Sequence, residues 1–303
     1  MEWWHAVILG LVEGITEYLP ISSTGHLILA SSLLGLNDTA ERKAAVDAFN
    51  IVIQGGAILA VAGLYRARVA QMLRGLIGRD DAGLRLATNL FIAFLPAAVL
   101  GVLLDDWIEA RLFFAGPVLF ALGGGAVFMW WLEARRSGRF GLPPRRQLEI
   151  DDLSPAQALT IGLMQCVAMW PGTSRSMMTI GGGYLVGLRP AAAAEFAFLL
   201  GLPTLGGACV YKLLKNLKHA SETGTPNLFD QLGWSSVLIG FAVATVSAAL
   251  AVKWLVGFLK RRGLTPFAYY RLALCAVMLL MVWRGVVSIE PPDMGTPAEA
   301  AAD

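Results

Sequence analysis

The sequence predicts an all-α integral membrane protein: an inverted-topology repeat, each half a re-entrant helix hairpin plus three transmembrane helices. Three observations predict it. The 303 residues are 56% hydrophobic and only 15% charged, where soluble domains carry about a quarter charged residues. Six apolar stretches are long enough for the roughly 20 residues that a helix needs to cross a bilayer. Two further apolar regions are interrupted by proline and a polar cluster, and their sequences match each other. A net charge of +2 gives no reason to expect a nucleic acid partner. The bilayer itself is the expected surrounding.

The elements follow in order. The first interrupted region, about 3–36, opens with Trp3 and Trp4, aromatic anchors for a membrane interface. Its acidic start lacks the basic residues and small-residue cleavage site of a signal peptide, so no cleaved signal is expected. Spans follow at about 47–64, 86–104 and 113–132. A cytoplasmic loop, 133–153, leads to the second interrupted region, about 155–188. Spans at about 191–211, 236–257 and 266–286 complete the chain. One membrane domain therefore covers 1–303, with repeat one at 1–132, repeat two at 154–288 and an acidic, disordered tail at 289–303. In the interrupted regions each half is too short to span. Irregular backbone at that depth is tolerated only where protein buries it or a wet cavity receives it, hence two re-entrant hairpins.

Basic loop residues orient the chain. Arg66, Arg68, Arg74, Arg79, Arg85, Arg135, Arg136, Arg139, Arg145, Arg146, Arg189, Lys260, Arg261 and Arg262 fall on one side. Arg42, Lys43, Arg111, Lys212, Lys215, Lys218 and Arg284 fall on the other. The first set, twice as large, belongs in the cytoplasm, which puts both termini outside. Cys166, Cys209 and Cys275 are scattered through apolar segments with no metal or disulfide spacing, and are expected to be buried apolar residues.

The repeat is visible in "GLVEGITEYLPISSTGHLILASSLLGL" from Gly10 and "GLMQCVAMWPGTSRSMMTIGGGYLVGL" from Gly162. Glu13 aligns with Gln165. With one residue dropped, Pro20 aligns with Pro171 and Ser23 with Ser174. Three spans follow each hairpin, and the hairpins enter from opposite sides. Such repeats place sites near the bilayer midplane, between discontinuous helices, so the two tips should meet there.

At the first tip, Glu13 and Glu17 share one helix face. Each acid at membrane depth costs roughly 2.5–3.5 kcal/mol, and the pair repel. A divalent cation, an arginine or shared protons must compensate. Beyond Pro20 a second half-helix starts near Ser22 or Ser23. Its free backbone N–H groups and dipole suit a phosphate, and Ser22 and Thr24 add hydroxyls. His26 lies three residues after Ser23, on the same face, so the two could form a nucleophile–base pair.

At the second tip, Thr173 or Ser174 can cap the following half-helix. Arg175 carries a permanent charge on a planar fork suited to phosphate oxygens. Ser174, Ser176 and Thr179 add donors. The joined tips suit a phosphate ligand bridged to the carboxylates by a divalent cation. Mg2+ or Ca2+ fits such oxygen ligands. Glu195, Gln54 and Arg271 are weaker intramembrane polar signals. Lys253 is expected to snorkel, and His5 and His219 to sit at interfaces or in loops.

"EGITE" with "PISSTGH", "PGTSRSMMT", "EFAFLLGLPT" from Glu195 and "FAYYR" from Phe267 resemble the signature regions of the undecaprenyl-diphosphate phosphatases of the bacitracin-resistance protein type. The resemblance covers nearly the whole chain. One departure is Met177 and Met178, where many members carry glycine and alanine; these positions point at packing rather than phosphate chemistry. The resemblance implies a multi-pass enzyme of the bacterial inner membrane, with its active site open to the periplasm. It would cleave the C55 isoprenyl diphosphate to the monophosphate and inorganic phosphate, recycling the carrier for cell-wall synthesis and conferring bacitracin resistance. It also implies that Glu13 and Glu17 form the acidic, metal-associated motif. Ser23 and His26 become candidate nucleophile and partner, and Arg175 with Ser174, Ser176 and Thr179 would grip the diphosphate. A homodimer is compatible with it. Attack by Ser23, with Glu17 or His26 taking the proton, is the favoured course; attack by His26 or by water stays open.

Two other readings compete. Inverted repeats and broken helices are also transporter features, but pure transport does not need the hydroxyl, histidine and arginine set. A phosphatase of the phosphatidic-acid type would need a second histidine with an aspartate after the serine-arginine pair, and the stretch "SRSMMTIGGGYLVGLRP" supplies neither.

Overall fold

A computed structural model describes residues 2–36, 40–139, 147–223 and 233–286. The tail expected to be disordered and Arg145 and Arg146 lie outside the described residues, as do the side chains of Arg42, Lys43 and His219. Eleven α-helices run in order among the described residues: α1 Trp3–Thr16, α2 Ser23–Leu33, α3 Ala40–Leu64, α4 Arg66–Leu76, α5 Asp81–Leu112, α6 Ala115–Arg136, α7 Pro155–Val167, α8 Arg175–Val186, α9 Pro190–Thr223, α10 Trp234–Arg262 and α11 Thr265–Trp283. Among the described residues there is no strand, only one bridge between Leu148 and Leu188. Among the described residues six helices are long and apolar enough to cross a membrane, at Val46–Leu64, Asp81–Ile108, Ala115–Arg136, Pro190–Lys218, Trp234–Arg262 and Thr265–Trp283. The protein is a helical, multi-pass membrane protein.

Five of the six spans run longer than hydropathy alone indicates, while the last, Thr265–Trp283, ends sooner; side chains fix some of the helix ends. Asp80 Oδ1 accepts from Gly83 N at 2.8 Å to open α5. Ser154 and Gln157 form a reciprocal capping box on α7, satisfying N–H groups that a helix start leaves free. Glu133 at the end of α6 accepts from Leu264 N at 2.7 Å, tying α6 to the turn between α10 and α11. One segment departs from expectation. The arginine-rich stretch after the first span is not all loop: Arg66–Leu76 is a helix. It holds no breaker before Gly75, and Met72 packs against the core.

Both interrupted regions form two short helices joined by a non-helical turn, α1–α2 and α7–α8. Their packing is reciprocal. The first short helix of each half lies along the second long helix of the other, α1 on α10 and α7 on α5. The first long helices, α3 and α9, touch each other, as do the last, α6 and α11. Absent side chains bring α1 close to α10. A Cβ on Gly14 would fall 2.5 Å from the Ala244 carbonyl oxygen, and Ser247 Oγ reaches Gly10 O at 3.3 Å. Tyr18, Leu19 and Ile21 of the first turn share one apolar cluster with Met177, Met178 and Ile180 of α8. Met177 and Met178 are buried, consistent with a packing role.

Candidate active site

The two turns end in matching serines. Ser22 caps α2 with φ 72°, its Oγ accepting from Gly25 N at 3.4 Å. Ser174 caps α8 with φ 75°, its Oγ accepting from Met177 N at 3.3 Å. They are the only non-glycine residues with positive φ among those described. A left-handed backbone outside glycine costs of order 1–3 kcal/mol and persists where surrounding structure enforces it. This geometry revises the repeat alignment. Ser22, not Ser23, is the counterpart of Ser174, and Ser23 and Arg175 hold equivalent first positions on the two half-helices. The free N–H groups of α2 and α8 both sit at the tips.

Ser176 Oγ donates to the Leu19 carbonyl at 2.8 Å and lies 3.0 Å from Ser174 Oγ. That bond joins the second tip to the first. Ser23 Oγ donates to Glu17 Oε2 at 2.7 Å. Glu17 Oε1 accepts from Arg175 Nη2 at 3.3 Å. The same guanidinium donates from Nη1 to Ala197 O at 3.1 Å and lies 5.5 Å from the centre of the Tyr18 ring. Arg175 Nε is buried without a partner among the described residues. Glu17 thus stands between a hydroxyl and a cation. Room for the fork comes from Gly201, where a Cβ would lie 3.0 Å from Arg175 Nη1.

A cavity of about 150 Å³ opens over this arrangement, lined by Glu17, Ser22, Ser23, Thr24, Gln54, Ala168, Pro171, Gly172, Ser174, Arg175 and Leu205. The structure therefore brings six sequence-predicted residues to one cavity: Glu17, Ser22, Ser23, Thr24, Ser174 and Arg175. The other five do not line it. Glu13 lies one turn before Glu17, 2% exposed, with Oε2 unpartnered among the described residues. Thr179 turns its hydroxyl onto the Arg175 carbonyl at 2.9 Å. Ser176 is buried in the tip contact, and Thr173 is buried with its carbonyl on Arg271. His26 is not hydrogen-bonded to Ser23. Its Nδ1 lies 2.7 Å from the Ser22 carbonyl and its Nε2 lies 2.8 Å from the Tyr270 hydroxyl. A carbonyl only accepts, so Nδ1 carries the hydrogen and the Nε2 lone pair of the neutral ring faces Tyr270.

Arg271 is wholly buried and donates to four carbonyls, Leu122 from Nε (3.1 Å), Thr173 from Nη1 (3.2 Å), and Ala121 (2.7 Å) and Gly172 (2.8 Å) from Nη2. It ties the second turn to α6. Glu195 faces away from the cavity, pairing with Arg68 of α4 at 2.8 Å. Sequence reasoning missed Tyr18, whose hydroxyl donates to Ala57 O at 3.1 Å while its ring lies beneath Arg175, and Tyr270. The aromatic residues beside "EGITE" and within "FAYYR" were the available signal.

A divalent cation can be tested against these side chains. Among the described residues no three His, Cys, Asp or Glu side chains gather in one place. Yet Glu13 keeps a buried oxygen free beside Glu17 on the same helix face. Two carboxylates fit Mg2+ or Ca2+, which take hard oxygen ligands and complete their shells with water or phosphate oxygens.

The model of the family "Bacitracin resistance protein BacA" matches residues 6–277. The chain is 46% identical over 279 residues to a Sorangium cellulosum protein named undecaprenyl-diphosphatase, covering 92% of this chain and 86% of that one. A Rhodospirillum rubrum protein named undecaprenyl-diphosphatase 2 is 47% identical over 283 residues, 93% of this chain and 96% of the relative. A Paraburkholderia xenovorans protein named undecaprenyl-diphosphatase 1 is 43% identical over 291 residues, 95% and 99% of the two chains.

Proposed function

The chain belongs to the bacitracin resistance protein BacA family, and from that premise we propose how its two-tip cavity carries out the activity its relatives are named for. That activity is undecaprenyl-diphosphatase: hydrolysis of the C55 isoprenyl diphosphate to the monophosphate and inorganic phosphate. It returns the lipid carrier to cell-wall synthesis and underlies the bacitracin resistance of the family name.

One observation carries the reading. Ser23 Oγ, Glu17 and Arg175 form a continuous chain of hydrogen bonds on the cavity wall. Ser23 Oγ attacks the terminal phosphorus and passes its proton to Glu17 Oε2, 2.7 Å away. The bond from that phosphorus to the bridging oxygen breaks, and the lipid monophosphate leaves. Water then cleaves the phosphoserine, releasing inorganic phosphate and restoring Ser23. Arg175 and the N-termini of α2 and α8 stabilise charge on the phosphoryl oxygens, where positioned donors supply most of the catalysis. The free Nε of Arg175 is a donor for such an oxygen. Glu13 and Glu17 would hold a divalent cation, Mg2+ or Ca2+, which when bound offsets diphosphate charge. His26 orients the start of α2 through the Ser22 carbonyl.

The reciprocal packing of the halves supports an inverted-topology repeat, with α1–α2 and α7–α8 as re-entrant hairpins. The basic bias of one set of loops supports a bacterial inner-membrane location with the cavity open to the periplasm. The family resemblance also accommodates a homodimer.

Phosphate release from undecaprenyl diphosphate by purified protein, with and without Mg2+, tests the reading alongside Ser23→Ala and Arg175→Ala. Release by the wild type and its loss in both folded variants is expected. A folded wild type that releases nothing under either condition would overturn it.

A further inference from the structure

The cavity has a wall that belongs to neither tip. Gln54, in the middle of α3, lines it. One contact holds this side chain, and two fix the α3 backbone beside it. Cys209 of α9 approaches Gln54 Oε1 at 3.3 Å as a thiol donor. Tyr18 donates to the Ala57 carbonyl, one turn along α3, and lies beneath Arg175. Gly56 admits α10 so closely that a Cβ there would fall 2.5 Å from the Phe241 carbonyl oxygen. The α3 backbone is thus held against α10 and against the first tip, and the amide oxygen of Gln54 is held by α9. Its amide nitrogen has no hydrogen-bond partner among the described residues. The half-buried side chain that carries these two N–H donors lines a cavity that also presents Arg175, Ser23 and two helix N-termini. A half-buried polar side chain held at one end and unsatisfied at the other is poised for a ligand acceptor.

We propose that Gln54 is a substrate-binding residue whose amide N–H groups donate to a non-bridging oxygen of the diphosphate. This rests on the phosphatase reading above and adds a contact from a transmembrane helix outside both hairpins. An uncharged donor suits this wall. It satisfies a phosphate oxygen without competing with Arg175 for Glu17, and without holding a released phosphate as a further cation would.

Two measurements on the full-length protein test it: the affinity for inorganic diphosphate, and kcat and KM for undecaprenyl diphosphate. Gln54→Leu removes the donors, and Gln54→Glu keeps the shape but sets a negative charge against the phosphate. A lost hydrogen bond to a charged group corresponds to roughly a tenfold or greater weakening. Gln54→Leu is expected to weaken diphosphate binding about tenfold and to lower kcat/KM in parallel. Gln54→Glu should lose more than Gln54→Leu although it is closer in shape. A purely structural role would reverse that order and lower the melting temperature. Diphosphate affinities of both variants within twofold of the wild type would overturn the proposal, even if the wild type hydrolyses the lipid. Gln54-dependent diphosphate binding by a wild type that releases no phosphate would uphold the contact and overturn the phosphatase reading.

Discussion

Arg175→Lys separates the geometry of the site from its charge. The native guanidinium makes two hydrogen bonds that fix its plane, to Glu17 Oε1 at 3.3 Å and to Ala197 O at 3.1 Å, over the Tyr18 ring. Its Nε remains free. A lysine keeps one positive charge but presents a single nitrogen, which cannot hold Glu17, Ala197 and a phosphoryl oxygen in the same directions. By the mechanism proposed above, at least one charge-assisted hydrogen bond is lost where the phosphoryl group transfers. Such a bond contributes about 1.5–3 kcal/mol, which at 1.4 kcal/mol per decade is roughly a 10- to 150-fold fall in kcat. The assay is phosphate release from undecaprenyl diphosphate at saturating substrate, with thermal unfolding as a control for folding. A folded Arg175→Lys protein within threefold of the wild-type kcat would show that charge alone matters, and the planar-fork argument would fail.

Two further outcomes follow from the same geometry. Gly201→Ala places a methyl group 3.0 Å from Arg175 Nη1; the displaced fork should lower kcat about tenfold, since small misplacements cost rate steeply, while the melting temperature changes little. Arg271→Met strips a donor from the Gly172 and Thr173 carbonyls of the second turn. At about 1.5–3 kcal/mol for each bond to a charged donor, it should markedly lower the melting temperature and remove activity together. An active, wild-type-stable variant would show that the turn holds without it.

Much of the fold was legible because a bilayer leaves few alternatives: apolar runs of sufficient length become helices, and prolines beside clustered hydroxyls mark where a helix must break. The six spans and the two interruptions follow from that. The helix at Arg66–Leu76 was hidden because its arginines mask a short amphipathic period. At the site, Glu17, Ser23 and Arg175 were legible because charges and hydroxyls are conspicuous among apolar neighbours. Their partners were not. His26 was paired in sequence with Ser23 three residues away, yet its ring reaches Tyr270, 244 residues on. Ser23 instead meets Glu17 across the turn. Ser22 and Ser174 take a left-handed backbone that no propensity would assign to serine, each at the turn where its side chain caps the following half-helix. Arg271 gave only the signal of a charge in an apolar helix, and its four carbonyl partners come from backbone, which has no residue-specific signature.

The seating of α1 bears on how the protein is made. α1, which carries Glu13 and ends just before Glu17, packs most extensively along α10, through the close approach at Gly14 and the bond from Ser247 to Gly10. The ribosome produces that partner more than two hundred residues after α1 itself. Until then the acidic half-helix has no groove to enter, and its carboxylates lack Arg175 as well. During biogenesis α1 therefore precedes its main packing partner, and its final seating follows the synthesis of the later helices. The acidic motif is translated early and its helix docked late, so a nascent chain cut short before α10 holds the sequence of that motif without the groove that seats it.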